Sequence, residues 1–226
     1  MRITGLLYLA LAVAGGLGFL TVRPRLFADG DPAATLANLT AHPTLVSAGI
    51  ALELLLVLTQ SLCALWFYRL FRRVDSFAAG AIAAFGLINA VAVLGSAATL
   101  GAAAQVADAP FGDAAAVVQT LYLLGGNLWT AGSLFFGLWL IPMGACVLRA
   151  GMPRVLGWLL IAGGVLYVVS AFTAYLVPGP LTEMLAVPAS IGEFWMIFYL
   201  IFWSGPKDLS GGAESRLPSP RPAPSA

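Results

Sequence analysis

Two glutamates, Glu53 and Glu193, sit inside long apolar runs, ALELLLVL and IGEFWMIF. A carboxylate at the centre of a membrane-spanning helix costs roughly 2.5–3.5 kcal/mol on insertion scales, so each one needs a compensating role. Gln60 follows Glu53 by seven residues and shares its helix face. Asn89 and Ser96 are again seven apart on one face, while Asn127 and Thr130 are three apart. If these faces converge, they form a polar pocket able to hold a ligand or a proton. Neither Lys nor Arg falls within the apolar runs, so the carboxylates are expected to lack a countercharge. Two such neighbours would share one proton, leaving at least one protonated at neutral pH. The competing reading makes each Glu neutral and hydrogen-bonded to Asn, Ser or a backbone carbonyl, which fixes helix register. Both readings stay open at this point.

Little other chemistry is available. His42 is the single histidine and lies beside Pro43, which excludes bis-His haem ligation and a His-rich zinc site within one chain. There is no H-E-x-x-H, no P-loop, and no G-x-S-x-G with a partnering base. Cys63 and Cys146 read as small apolar packing residues. A net charge of +1 leaves no basic face for nucleic acid. No catalytic constellation, metal site or cofactor is therefore expected.

The elements that must position the polar groups follow from composition. The 226 residues are 60% hydrophobic and 9% charged, against about a quarter charged in soluble domains. That composition predicts an all-α polytopic membrane bundle, whose first partner is the lipid bilayer. About twenty apolar residues span a hydrocarbon layer. Six stretches qualify: Ile3–Val22, Leu45–Phe67, Phe77–Ala104, Val117–Leu148, Val155–Val177 and Leu185–Trp203. Gly125 and Gly126 are candidate markers of where the fourth span begins, and Pro142 of a kink. Met1-Arg2 before an apolar run, with Ala12-Val13-Ala14 behind it, superficially fits a signal peptide. The run continues to full spanning length, so it is read as a retained span.

Positive charge sets the orientation. Arg2, Arg69, Arg72, Arg73, Arg149, Arg154, Lys207, Arg216 and Arg221 fall on one side, with Arg23 and Arg25 on the other. The positive-inside rule then places both termini in the cytoplasm, as in a bacterial inner-membrane protein. The outer loops become Arg23–Thr44, Gln105–Ala116 and Pro178–Met184. Glu53 and Glu193 would each lie eight residues past the outer end of their span, roughly 12 Å deep at 1.5 Å per residue. Residues 1–203 form the membrane domain, and Pro/Ser-rich residues 204–226 read as a disordered cytoplasmic tail.

Small residues predict close helix approach in lipid. Ala10, Ala14 and Gly18 make one ridge, Gly80, Ala84 and Ile88 a second, Gly86 and Ala90 a third, and Gly157, Gly163 and Gly164 a fourth. The two halves of the chain show no convincing inverted echo, which weakens a transporter reading.

Three segments carry a family resemblance: GLLYLALAVAG, CVLRAGMPRVLGWLLIAGGVLYVVSAF and PASIGEFWMIFYL. They resemble the bacterial membrane-protein family catalogued as domain of unknown function 4386, over roughly Met1 to Trp203. The Arg149–Gly157 turn and the Gly192-Glu193 pair are its most specific parts, and Glu53 matches its acidic position in the second span. Asn127 lies where the match is weaker. The resemblance implies a six-helix integral membrane protein and says nothing of a substrate. Together these readings favour binding, or help in transporting, a small molecule or lipid through an outer-half polar pocket built from Glu53, Glu193, Gln60, Asn89, Ser96 and Asn127. The alternative is a structural or regulatory partner of another membrane protein, docked through the small-residue ridges.

Overall fold

A computed structural model describes residues 1–176 and 181–203. The described chain is helical apart from its turns. Helix α1 (Arg2–Leu17) runs through a π-helical turn, Gly18–Val22, into α2 (Arg23–Leu26). Then follow α3 (Pro32–Ala41), α4 (Pro43–Phe71), α5 (Ser76–Asp108), α6 (Ala114–Arg149), α7 (Arg154–Leu176) and α8 (Leu181–Phe202). Five of these units are long and apolar enough to cross a membrane: Arg2–Leu26, α4, α5, α6 and α7. The apolar stretch of α8, Pro188–Phe202, is shorter. Large apolar side chains such as Leu20, Phe77, Val91, Trp158 and Phe202 are exposed on several helices, the surface that a hydrocarbon solvent requires. The architecture is that of a multi-pass helical membrane bundle.

Sequence neighbours pack on one another from α4 through α8, and α1 touches both α4 and α8. The six long helices thus close into a ring. Its centre is filled by Tyr8, Phe67 and Trp139, with Tyr8 edge-on to both rings at 5.4 and 5.5 Å. One end of the bundle, here the arginine-rich end, carries Arg2, Arg69, Arg72, Arg73, Arg149 and Arg154. Asp75 there caps α5 by accepting the Ala78 N–H at 2.9 Å and also pairs with Arg149. Gly151 makes the α6–α7 turn at φ +69°, a left-handed conformation that suits glycine. At the far end α3 packs against α5 and α6, under a second apolar cluster that includes Val22, Leu26, Leu39 and Val118.

Glycines bring three helices into backbone contact. A Cβ on Gly137 would stand 2.6 Å from the Gly164 carbonyl oxygen, and one on Gly144 would stand 2.5 Å from that of Gly157. One on Gly163 would stand 2.7 Å from Ala189 Cα. Gly86 is similarly tight, against Ala64 and Trp139, whereas Gly80 faces open space.

Several sequence expectations change. The segment expected to form the first outer loop is not a plain loop, because Arg23–Leu26 continues α1 and Pro32–Ala41 is a helix. Asp31 caps that helix by accepting the Ala34 N–H at 2.9 Å, as a short polar N-cap residue does. Gly125, Gly126 and Pro142 lie inside the single helix α6, so the glycine pair does not begin a helix. The expected tail, 204–226, lies outside the described residues, as do Lys207, Arg216 and Arg221.

Candidate functional site

The six polar residues that the sequence placed together fall into separate settings. Glu53 is 5% exposed, and its Oε1 meets Arg23 Nη2 at 3.3 Å. The same guanidinium donates to Ser96 Oγ at 2.7 Å, and Ser96 Oγ lies 3.4 Å from Glu53 Oε1. The expectation that neither carboxylate has a countercharge therefore fails for Glu53. The reason is local: the chain does not leave the helix at Val22, so Arg23 stays on the bundle and its long side chain reaches inward. Gly125 leaves room for this, since a Cβ there would stand 2.6 Å from Thr99 Oγ1 and 3.6 Å from Arg23 Nη2. Trp129 lies 5.7 Å from the guanidinium carbon, at cation–π distance.

Gln60 and Asn89 are almost fully buried among α4, α5 and α6. Gln60 faces Gly86, while Asn89 faces Gly132. Neither side-chain nitrogen has a hydrogen-bond partner among the described residues. Asn127 is exposed, and its Nδ2 donates at 2.8 Å to the Leu123 carbonyl of its own helix.

Glu193 is different. It is half-buried, and its Oε1 accepts the Tyr8 hydroxyl at 2.5 Å. No basic side chain pairs with it among the described residues. It lines a cavity of about 530 Å³ bounded by α1, α6, α7 and α8, with Leu56 of α4 at the back. Glu53 is not part of that lining. The structure thus gives the two carboxyls different partners, and no hydrogen bond joins them among the described residues.

The polar lining beside Glu193 consists of Tyr8, Thr130, Ser133, Tyr167, Ser170 and Ser190. Three of these hydroxyls donate to carbonyls of their own helices. Thr130 reaches Gly126 O at 3.1 Å, Ser133 reaches Thr130 O at 2.7 Å, and Ser170 reaches Tyr167 O at 2.8 Å. What they turn to the cavity is acceptor oxygen. Aromatic rings from Tyr8, Phe19, Trp129, Phe136, Tyr167 and Phe194 supply the remaining wall.

The shape follows from α1. Near the arginine-rich end Gly5 presses on α8, where a Cβ would stand 2.8 Å from Ile201 Cγ1. About three turns on, Gly16 has nothing within 4 Å of a Cβ position. The two helices therefore part towards the far end, and exposed Phe19, Leu20 and Phe194 line the opening. The π-helical turn, Gly18–Val22, lies at this mouth. Tyr8, Trp129 and Arg23 were not singled out as site residues in the sequence. Tyr8 carries a signal, a hydroxyl deep within a span, and Arg23 another, a long cation directly at a span's end.

Residues 3–203 match the family model described as Domain of unknown function (DUF4386). The chain belongs to the DUF4386 family. The match spans the whole bundle and stops where the described residues end, leaving 204–226 outside it. No curated protein and no solved structure matches the chain. Among its described residues, this DUF4386 protein gathers no group of three or more His, Cys, Asp or Glu that could hold a metal ion.

Proposed function

We propose that this protein crosses a bacterial inner membrane six times, with α8 as the sixth crossing and both termini in the cytoplasm. In this reading it binds a small amphiphilic molecule in the cavity beside Glu193. The start of α1 packs on the end of α8, so α8 runs antiparallel to α1 and parallel to α1's other neighbour, α4, as a sixth crossing would. Orientation rests on charge: six described arginines sit at one end, against Arg23 and Arg25 at the other. Arg23 is engaged internally with Glu53, which leaves Arg25 to face the aqueous phase and strengthens the bias.

The observation that carries the binding reading is the half-buried carboxylate at the base of a cavity open between α1 and α8. A volume of about 530 Å³ lies within the roughly 300–1,000 Å³ range typical of small-molecule pockets. The floor towards the arginine-rich end is packed by Tyr8, Phe67 and Trp139. That packing favours binding from the mouth over passage through the bundle. The test is native mass spectrometry of the full chain released from membranes. A bound mass is expected on the wild type and absent from Gly16→Trp, whose side chain would occupy the cavity. An identical bound mass on both proteins would sink the proposal.

A further inference from the structure

The cavity's chemistry is one-sided. Among the described residues its lining contains a carboxylate and no Lys, Arg or His. The Thr130, Ser133 and Ser170 hydroxyls have committed their protons to backbone carbonyls, and Tyr8 has committed its proton to Glu193. Among the described lining residues the donors left for ligand oxygens are all neutral, the Tyr167 and Ser190 hydroxyls and Trp129 Nε1, whereas a ligand cation would find a negative charge and several acceptors. The aromatic walls add to this, because the face of an aromatic ring attracts a cation, more strongly when water is excluded. Phe136 and Tyr167 stack at 6.1 Å, forming one such wall close to the carboxylate. Towards the mouth the lining turns apolar, through Phe19, Leu20 and Phe194.

Resting on the cavity reading above, we infer that the ligand is a lipophilic cation: an alkyl amine or quaternary ammonium whose head meets Glu193 and whose tail leaves between α1 and α8. A zwitterionic phospholipid is disfavoured, because its phosphate would find no cation in the lining. Arg23, whose guanidinium lies over the ring of the lining residue Trp129, is engaged with Glu53 and Ser96. An anionic amphiphile would meet the Glu193 carboxylate directly, a like-charge contact in a site with little water.

The test is equilibrium binding of radiolabelled dodecyltrimethylammonium to the full chain in nanodiscs of a neutral galactolipid. Wild type should bind it saturably at one site. Glu193→Gln should weaken binding by about tenfold or more, the effect of losing a charge-assisted contact in a desolvated site. Glu193→Asp, which keeps the charge, should recover much of that loss and so separates charge from misfolding. A neutral dodecyl polyethylene glycol ether should compete at least about tenfold more weakly than the cation. Equal competition by the neutral ether, with no effect of Glu193→Gln, overturns the cation assignment. If Gly16→Trp still abolishes binding in that case, the cavity reading survives. Binding unaffected by Gly16→Trp overturns the cavity reading itself. Displacement by dodecylphosphocholine as efficient as by the simple cation replaces the inference with a phospholipid headgroup site.

Discussion

Glu53 lies against an arginine and a serine, away from the cavity lining, and it is almost inaccessible. Glu193 lies against a single tyrosine at the side of a cavity, and part of it is accessible. The first carboxylate has its charge balanced by the protein itself. The second has a hydrogen bond but no balancing charge among the described residues. The same residue type therefore acts in two ways within one membrane bundle. Where the countercharge is built in, the carboxylate fixes helices α2, α4 and α5 together. Where it is missing and space is left, the carboxylate is available to something that is not part of the chain.

The difference can be broken most forcefully at Arg23. Arg23→Ala leaves Glu53 buried without its partner, a change expected to cost about 3–5 kcal/mol. The double variant Arg23→Ala with Glu53→Gln should regain much of that loss in thermal unfolding of the purified protein. A single variant as stable as wild type would remove the structural role assigned to the pair. Next in size is Gly125→Ala, which drives a methyl group into Thr99 Oγ1 beside the ion pair. Its expected cost is about 1–3 kcal/mol, read as a lowered midpoint of unfolding. Glu193→Gln should cost less than about 1 kcal/mol, since the amide oxygen still accepts the Tyr8 hydroxyl and no ion pair is lost. A larger loss than that of Arg23→Ala would invert the contrast between the two glutamates. Smallest is Gly16→Ala, whose methyl group enters open space. It should leave the unfolding midpoint unchanged or slightly raised, within about 1 kcal/mol.

Much of this was legible in the chain itself. Apolar length located Arg2–Leu26 and α4 to α7 to within a few residues, because a bilayer demands a long uninterrupted run. Helix α3 was missed, since ten residues of moderate hydropathy carry no such demand and its Asp31 cap was read as loop charge. Glu53 and Glu193 were legible as exceptional for the same bilayer reason. Their different settings were not, because those settings depend on α1 packing between α4 and α8, a long-range arrangement. Counting Arg23 as a loop charge hid its side chain's reach, and the helical spacing that placed Asn127 near Thr130 could not say which flank of α6 faces lipid.

The glycine contacts described for α6, α7 and α8 have a mechanical consequence. Where backbones touch, there is no side chain to rotate out of the way, so these three helices resist sliding and form a stiff plate. Helix α1 is held differently. It is pinned to α8 at Gly5 and elsewhere meets its neighbours largely through side chains, which deform more readily. Its π-helical turn at Gly18–Val22 interrupts the regular ladder of hydrogen bonds beside the mouth of the cavity. Compliance is thus concentrated in one wall of four, and the work of widening the cavity falls on the first helix, with Gly5 as its pivot.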